Sequence, residues 1–247
     1  FITVDDGYRS FYEHAFPVLL KFNFPFSVFI STDYVSNNNN SDFMSWEMLS
    51  EIKENLGEIY NHTTNHANLN NQSSDKVYEL IEKANQSIEE NLGDKPLIFS
   101  FPYGISNLEN EKIVKNLGFE IAFGQQSSHI YKNENIFRLP RFAFNEKYGN
   151  IERFKLIMQS KPLRVYDVTP EGTDYKGNNY RSGFSTKEKI ENINCFHSSE
   201  TPIEIHKIPP HRIELTLKEN PKKGLNRINC TLKKKDTLHW YGRILIN

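Results

Sequence analysis

Two cysteines in 247 residues are too few for a disulfide-stapled framework, so this chain must hold its fold through a hydrophobic core. No apolar run approaches the roughly 20 residues that a membrane-spanning helix needs, which excludes such a span from the sequence as given. A basic excess is missing as well: 30 Lys and Arg stand against 31 Asp and Glu, a formal net charge of −1. Nothing in that balance displaces phosphate counterions, and a dedicated nucleic-acid binder is excluded. The chain also lacks an initiating Met. It opens at Phe1 inside an apolar run, and the expectation is that sequence precedes it, an export signal included. Aromatics are what it has in quantity: 18 Phe and 12 Tyr offset the entropy of ordering and exclude a disordered chain.

Up to about residue 124, short apolar runs alternate with segments of helical period. Residues 1–4 read as a strand that Asp5-Asp6-Gly7 breaks. Residues 11–22 read as a helix that Pro17 should kink or shorten, and 26–30 as a second strand. Ser45 caps a helix carrying Leu49, Ile52 and Leu56, and 58–60 is a short strand entering a His-rich loop. Val77, Leu80, Ile81, Ala84, Ile88 and Leu92 form an amphipathic stripe, with Ser74 or Asp75 as cap and Gly93 as stop. Strand 97–101, helix 109–117 and strand 120–123 follow. Strands alternating with helices imply parallel pairing, hence an α/β class, as a closed or incomplete barrel or an open sheet. After about residue 161 the pattern changes to strand-like runs at 163–168, 203–208, 212–217, 227–232 and 238–246, separated by Pro, Gly, Asn and Lys. These predict a small antiparallel β domain over 161–247, with 189–194 as a candidate turn of helix and 233–236 as a hairpin turn. The asparagine run 37–40 reads as a surface loop.

Three polar clusters follow strands: Asp5-Asp6-Gly7, His62-Thr63-Thr64-Asn65-His66, and Phe101-Pro102-Tyr103-Gly104. Taken singly, each is a turn or an ordinary loop. In a parallel α/β unit, however, residues just past the strand ends meet on one face. Two aspartates, two histidines and a backbone turn then share one mouth. An Asp and two His hold a divalent ion with positions left open for water and substrate, the spare carboxylate suits a general base, and the turn offers N–H groups to an oxyanion. Those parts specify metal-assisted hydrolysis of an acyl bond.

The same residues resemble the polysaccharide deacetylases, the NodB homology domain of carbohydrate esterase family 4. Ile2-Thr3-Val4-Asp5-Asp6-Gly7 is similar to the family's Thr-Phe-Asp-Asp-Gly motif, residues 62–66 to its His-Ser/Thr-x-x-His motif, and residues 99–104 to its third motif. Ser45-Trp46-Glu47 and Leu139-Pro140-Arg141 resemble the branch that includes poly-N-acetylglucosamine deacetylases. The resemblance covers residues 1–160. It implies a distorted (β/α)7 barrel, here truncated at its N-terminus, that removes N-acetyl or O-acetyl groups from an envelope or extracellular polysaccharide. Carried over, Asp6, His62 and His66 become metal ligands, with zinc the first choice, and Asp5 the base. The Tyr103 N–H becomes the oxyanion donor, and Trp46, Pro102 and Tyr103 line the substrate groove. The protein is then expected in the envelope, the periplasm or the medium.

Two departures stand out. Ser100 occupies the place of a family Arg that pairs with the base aspartate, and Arg141 is the candidate replacement. The Leu-x-His segment that supplies the general acid is missing; His129, His197, His206, His211 and His239 are the histidines left to consider. A non-catalytic carbohydrate-binding relative is therefore the alternative reading. An iron oxygenase triad fits poorly, because the carboxylate precedes both histidines and Asp5 then has no role. In the C-terminal domain Trp240 and Tyr241 suit either a sugar platform or one face of a β core. Cys195 and Cys230 can pair if the compartment is oxidising, although free thiols are the preferred reading, and the glycosylation sequon at Asn61 reads as chance, since it overlaps the metal motif.

Overall fold

The computed structural model describes residues 1–35, 41–173, 180–199, 201–219 and 223–246; the asparagine run 37–40 lies outside them. Two compact units emerge, Phe1–Phe123 with Ile136–Arg138, and Gly124–Asn135 with Leu139–Asn247.

The first unit is built on β1 (Ile2–Val4), β2 (Phe26–Ile30), β3 (Gly57–Asn61), β4 (Ile98–Ser100) and β5 (Ile121–Phe123). All four pairings are parallel, and the sheet order is β1-β2-β3-β4-β5. An order that never reverses is that of an incomplete barrel wall, with right-handed crossovers carrying every helix to one side. The described residues thus give five strands of the α/β barrel type. The crossovers are α1 (Phe16–Lys21), α2 (Thr32–Val35), α3 (Trp46–Glu54), α4 (Ser74–Leu92) and α5 (Leu108–Asn116). Pro17 has the expected effect. It lacks an N–H, and the turn before it, Phe11–Ala15, widens to a π-helix before α1 begins. α3 starts at the Ser45 cap. α4 starts at Ser73, one residue before the expected cap, and stops at Gly93 with φ of 84°. Its stripe Val77, Leu80, Ile81, Ala84 and Ile88 is buried.

The second unit holds α6 (Ile151–Gln159), β6 (Lys161–Pro162), β7 (Val165–Thr169), β8 (Arg181–Thr186), β9 (Ile193–His197), β10 (Ile203–Ile208), β11 (Arg212–Leu217), β12 (Leu225–Lys234) and β13 (Thr237–Ile246). Two four-stranded sheets, β10-β11-β8-β7 and β6-β13-β12-β9, are antiparallel except at β13·β6. Alternate residues of β11 and β12 are buried, and Phe184, Ile213 and Leu215 of one sheet share a core with Ile193, Ile228 and Leu232 of the other. That is a sandwich, as the alternation predicts. Residues 139–160, which the sequence reading assigns to the barrel, cluster with this unit; α6 runs directly into β6, which pairs with β13.

Two expectations need correction. Residues 189–194 do not form a helical turn: β9 starts at Ile193, and Ile193, Cys195 and His197 alternate inward. Cys195 and Cys230 are not free thiols. They face each other across β9 and β12 and form a disulfide with Cα atoms 4.0 Å apart. Of the two readings of Trp240 and Tyr241, the contacts favour the β core: the indole N–H donates to Asn229 Oδ1, and the Tyr241 ring packs on Phe184.

Candidate metal centre

Each of the three polar clusters sits just past a strand of the parallel sheet. Asp6 follows β1, the His loop follows β3, and the turn Pro102–Gly104 follows β4. Four non-glycine residues in these loops have left-handed backbones: Asp6 (φ 74°), Thr63 (70°), His66 (54°) and Tyr103 (61°). Such conformations cost about 1–3 kcal/mol each and persist where surrounding contacts dictate them. Here the contacts are visible. Asn61 is fully buried; its amide donates to Ile81 O and Asn85 Oδ1, while its Oδ1 accepts the Thr63 N–H at 2.7 Å. Thr63 Oγ1 accepts the His66 N–H, and Ser31 Oγ donates to His62 O. An Asn61 so enclosed is no glycan acceptor, which agrees with reading the sequon as chance. Gly7 has φ of 80°, and an added Cβ would lie 3.1 Å from Ile30 Cγ2, so the Asp-Gly bend requires glycine.

Among the described residues, the ligand atoms of Asp6, His62 and His66 lie within 4.8 Å of one another. Asp6 Oδ1 is 3.2 Å from His66 Nε2 and 3.5 Å from His62 Nε2. This oxygen is buried and accepts no hydrogen bond among the described residues, an expensive arrangement for a carboxylate unless a cation shares the space. His62 Nδ1 lies 2.6 Å from Ser100 O. A carbonyl only accepts, so the proton sits on Nδ1 and the Nε2 lone pair faces Asp6. Burial and then the neighbouring His62 hold His66 below the usual imidazole range, in the neutral form that ligates. The donor set, one carboxylate oxygen and two imidazole nitrogens, fits a divalent ion with open positions.

Ser100 is doubly placed. Besides accepting from His62, its hydroxyl donates to Asp5 Oδ1 at 3.5 Å, the outer limit of a hydrogen bond. Sequence reasoning treated this serine only as a missing arginine. Arg141 falls in the second unit, where its Nε donates to Gly124 O. Tyr103 is 49% exposed and sets its ring edge-on to His66, centroids 4.4 Å apart. Pro102 is buried in the turn, and Trp46 begins α3, half-buried against the core. The five histidines considered for the general acid all belong to the second unit.

Residues 1–122 match the family model described as polysaccharide deacetylase. The first unit thus carries the polysaccharide deacetylase domain. Over 156 residues it is 27% identical to the poly-beta-1,6-N-acetyl-D-glucosamine N-deacetylase of Staphylococcus aureus strain MRSA252, which covers 59% of this chain and 54% of the relative. The namesake of Staphylococcus epidermidis is 26% identical over 151 residues, covering 57% and 52%. The chain thus spans about half the length of the curated relatives it matches. Among solved structures, a Streptococcus pyogenes deacetylase, PplD, in complex with acetate superposes with a TM-score of 0.59 at 18% identity, covering 63% of this chain and 68% of that one. A de-N-acetylase from Aggregatibacter actinomycetemcomitans gives 0.55 at 20% identity, covering 63% and 73%. At those identities the superpositions establish the deacetylase fold.

Proposed function

We propose that this chain removes acetyl groups from an N-acetylated polysaccharide of the poly-N-acetylglucosamine class, at a divalent metal held by Asp6, His62 and His66. The buried Asp6 Oδ1, facing two imidazole Nε2 atoms and accepting no hydrogen bond among the described residues, carries this reading. The names of the staphylococcal relatives supply the substrate class. A bound divalent ion would supply Lewis acidity at the acyl oxygen and acidify water; zinc suits the nitrogen and carboxylate donors.

The chain's own residues do the rest. Asp5, next to the ligand Asp6 and tethered by the Ser100 hydroxyl, takes the proton of the attacking water. Water oxygen bonds to the acetyl carbon, and the carbonyl electrons move onto oxygen. The Tyr103 N–H, presented by a turn strained at φ 61°, donates to that oxyanion. Collapse breaks the carbon–nitrogen bond, releasing acetate and an amine that takes up a proton. An ester, whose alkoxide leaves more readily, makes a weaker demand for that proton, so O-acetyl groups fall within the same reading. Trp46, Pro102 and Tyr103 line the approach. The Cys195–Cys230 disulfide favours an oxidising compartment, hence export. No helix among the described residues is long and apolar enough to cross a membrane.

Metal content measured alongside acetate release from N-acetylglucosamine oligomers is the test. One metal per chain with acetate release supports the reading. Metal without turnover on any acetylated glycan replaces it with a carbohydrate-binding relative, and a chain that binds no metal refutes both.

A further inference from the structure

The first turn of α5 holds buried polar side chains that the proposed hydrolysis does not use. Consecutive residues there reach different parts of the first unit. The Glu109 carboxylate accepts from the Ser74 hydroxyl at the start of α4. Asn110 is buried and donates through Nδ2 to Asn70 Oδ1 at 2.9 Å, beyond His66 on the histidine loop. Glu111, only 6% exposed, accepts through Oε1 from the fully buried Ser106 hydroxyl at 2.9 Å. The same oxygen lies 3.3 Å from Arg138 Nη1, on the segment whose Ile136 O accepts from the Ala122 N–H of β5. One helical turn therefore ties the loop that carries His62 and His66 to the loop that carries Tyr103.

Ser106 stands where the backbone needs holding. Tyr103 (φ 61°) and Gly104 (φ 69°) are left-handed residues in succession. The entrance to their turn is fixed by the sheet, since Phe101 N–H donates to Phe123 O at 3.0 Å and Gly104 N–H to Phe101 O at 2.8 Å. At the exit, Ser106 follows the buried Ile105, and its hydroxyl is anchored on Glu111. For stability alone a buried carboxylate is a poor choice, because an apolar side chain of similar size packs without the desolvation cost. What the carboxylate adds is direction: an ionised acceptor makes a strong hydrogen bond that holds its donor in one place. An oxyanion donor depends on such direction, since its N–H must meet the oxygen where the transition state puts it. We propose that Glu111 is a positioning residue: through Ser106 it fixes the exit of the Tyr103 turn, and with it the aim of the Tyr103 N–H at the acyl oxygen. Asn110 holds the same helical turn against the histidine loop, so metal ligands and oxyanion donor share one reference. This rests on the deacetylase reading of the site, the role of the Tyr103 N–H included.

The test uses the zinc-loaded full chain with N-acetylglucosamine oligomers. Ser106→Ala removes the hydroxyl with little change of bulk and leaves the Glu111–Arg138 pair in place. Deleting an oxyanion donor costs about 10²–10³ in kcat, so a donor still present but no longer aimed should cost about tenfold in kcat with KM unchanged. Affinity for a methylphosphonamidate analogue, in which a tetrahedral group replaces the acetamide, should fall by the same factor as kcat/KM, because only the transition state and its mimic need the aim. Glu111→Gln keeps an acceptor for Ser106 and should stay within about threefold of the parent, whereas Glu111→Leu should match Ser106→Ala. Zinc per chain should be unchanged in all three. If Glu111→Leu does not fold, Ser106→Ala and Glu111→Gln decide the matter. Parent kinetics in Ser106→Ala overturn the positioning role. So does a lower kcat with unchanged analogue affinity or with a matching loss of zinc, since the network would then only brace the fold. A Glu111→Gln variant slower than Ser106→Ala overturns it as well, because the effect would not run through Ser106. A zinc-loaded parent that releases no acetate overturns the deacetylase reading and the positioning role together.

Discussion

The two units of this chain place the same uncommon backbone conformation to opposite ends. In the first unit, left-handed non-glycine residues concentrate in the three loops after β1, β3 and β4, where they aim Asp6, His66 and Tyr103 at one point. In the second unit they ease geometry: Asp167 sits within the irregularity of β7, and Lys235 in the hairpin between β12 and β13. Buried polarity divides likewise. The first unit uses hydrogen bonds of Asn61, Thr63 and Ser31 to hold the loop that carries His62 and His66. The second alternates apolar residues in two sheets, one of which carries a disulfide between its neighbouring strands β9 and β12. Strain that serves a site is held in place by a network, and a scaffold avoids strain by regular pairing.

The largest expected effects break the first half of that comparison. His62→Ala or His66→Ala should abolish stoichiometric metal, read by elemental analysis of the purified chain, while amide protection in β9 and β12 stays as it was. Full metal in the double variant removes the site assignment. Asp5→Asn should keep the metal and lower acetate release by about 10²–10⁴-fold, the usual contribution of a general base; unchanged turnover would take that role from Asp5. A smaller effect breaks the second half. Cys195→Ser with Cys230→Ser opens a loop closed over a separation of 35 residues, which should cost the second unit about 3–4 kcal/mol and expose β9 and β12 to hydrogen exchange without changing metal affinity. Loss of metal in that variant would show that the division of labour drawn here is false.

The same division explains what was legible in the sequence. Parallel strands ending in Asp-Asp-Gly, His-x-x-x-His and Pro-Tyr-Gly announce a site because strand ends converge by topology alone. The role of Ser100 was hidden, since its carbonyl, a backbone group invisible to any motif, orients His62. α6 carried an overlooked signal: Asn150 Oδ1 accepts the Arg153 N–H as an N-cap, ahead of Ile151, Phe154 and Ile157 at helical spacing. β8 was missed because Arg181-Ser182-Gly183 has none of the β-branched character that marks a strand. The disulfide depends on the register of β9 against β12, which spacing along the chain does not encode.

The smallest effect sharpens the comparison through a buried histidine on the scaffold side. His197 ends β9, largely buried, and its Nδ1 accepts from the Ser199 N–H at 3.2 Å with the Ser199 hydroxyl 2.7 Å away. The ring proton therefore sits on Nε2, which is buried and has no hydrogen-bond partner among the described residues. Burial holds this imidazole below its ordinary range. His129, whose Nε2 lies 2.7 Å from Ser160 Oγ, is lowered for the same reason. A folded pKa below the unfolded value of about 6.5 means that the unfolded chain binds protons first as pH falls. Stability is intact above that value and declines below it, by at most about 1.4 kcal/mol per pH unit for each histidine. Urea unfolding of the full chain, stripped of metal, should show stability falling from pH 7 to 5.5, and His197→Gln should flatten the slope in hydrogen exchange of β9. In the first unit the lowered imidazole belongs to the Asp6–His62–His66 cluster; in the second it is a packing residue, and a slope at β9 that is unchanged in His197→Gln would deny it that role.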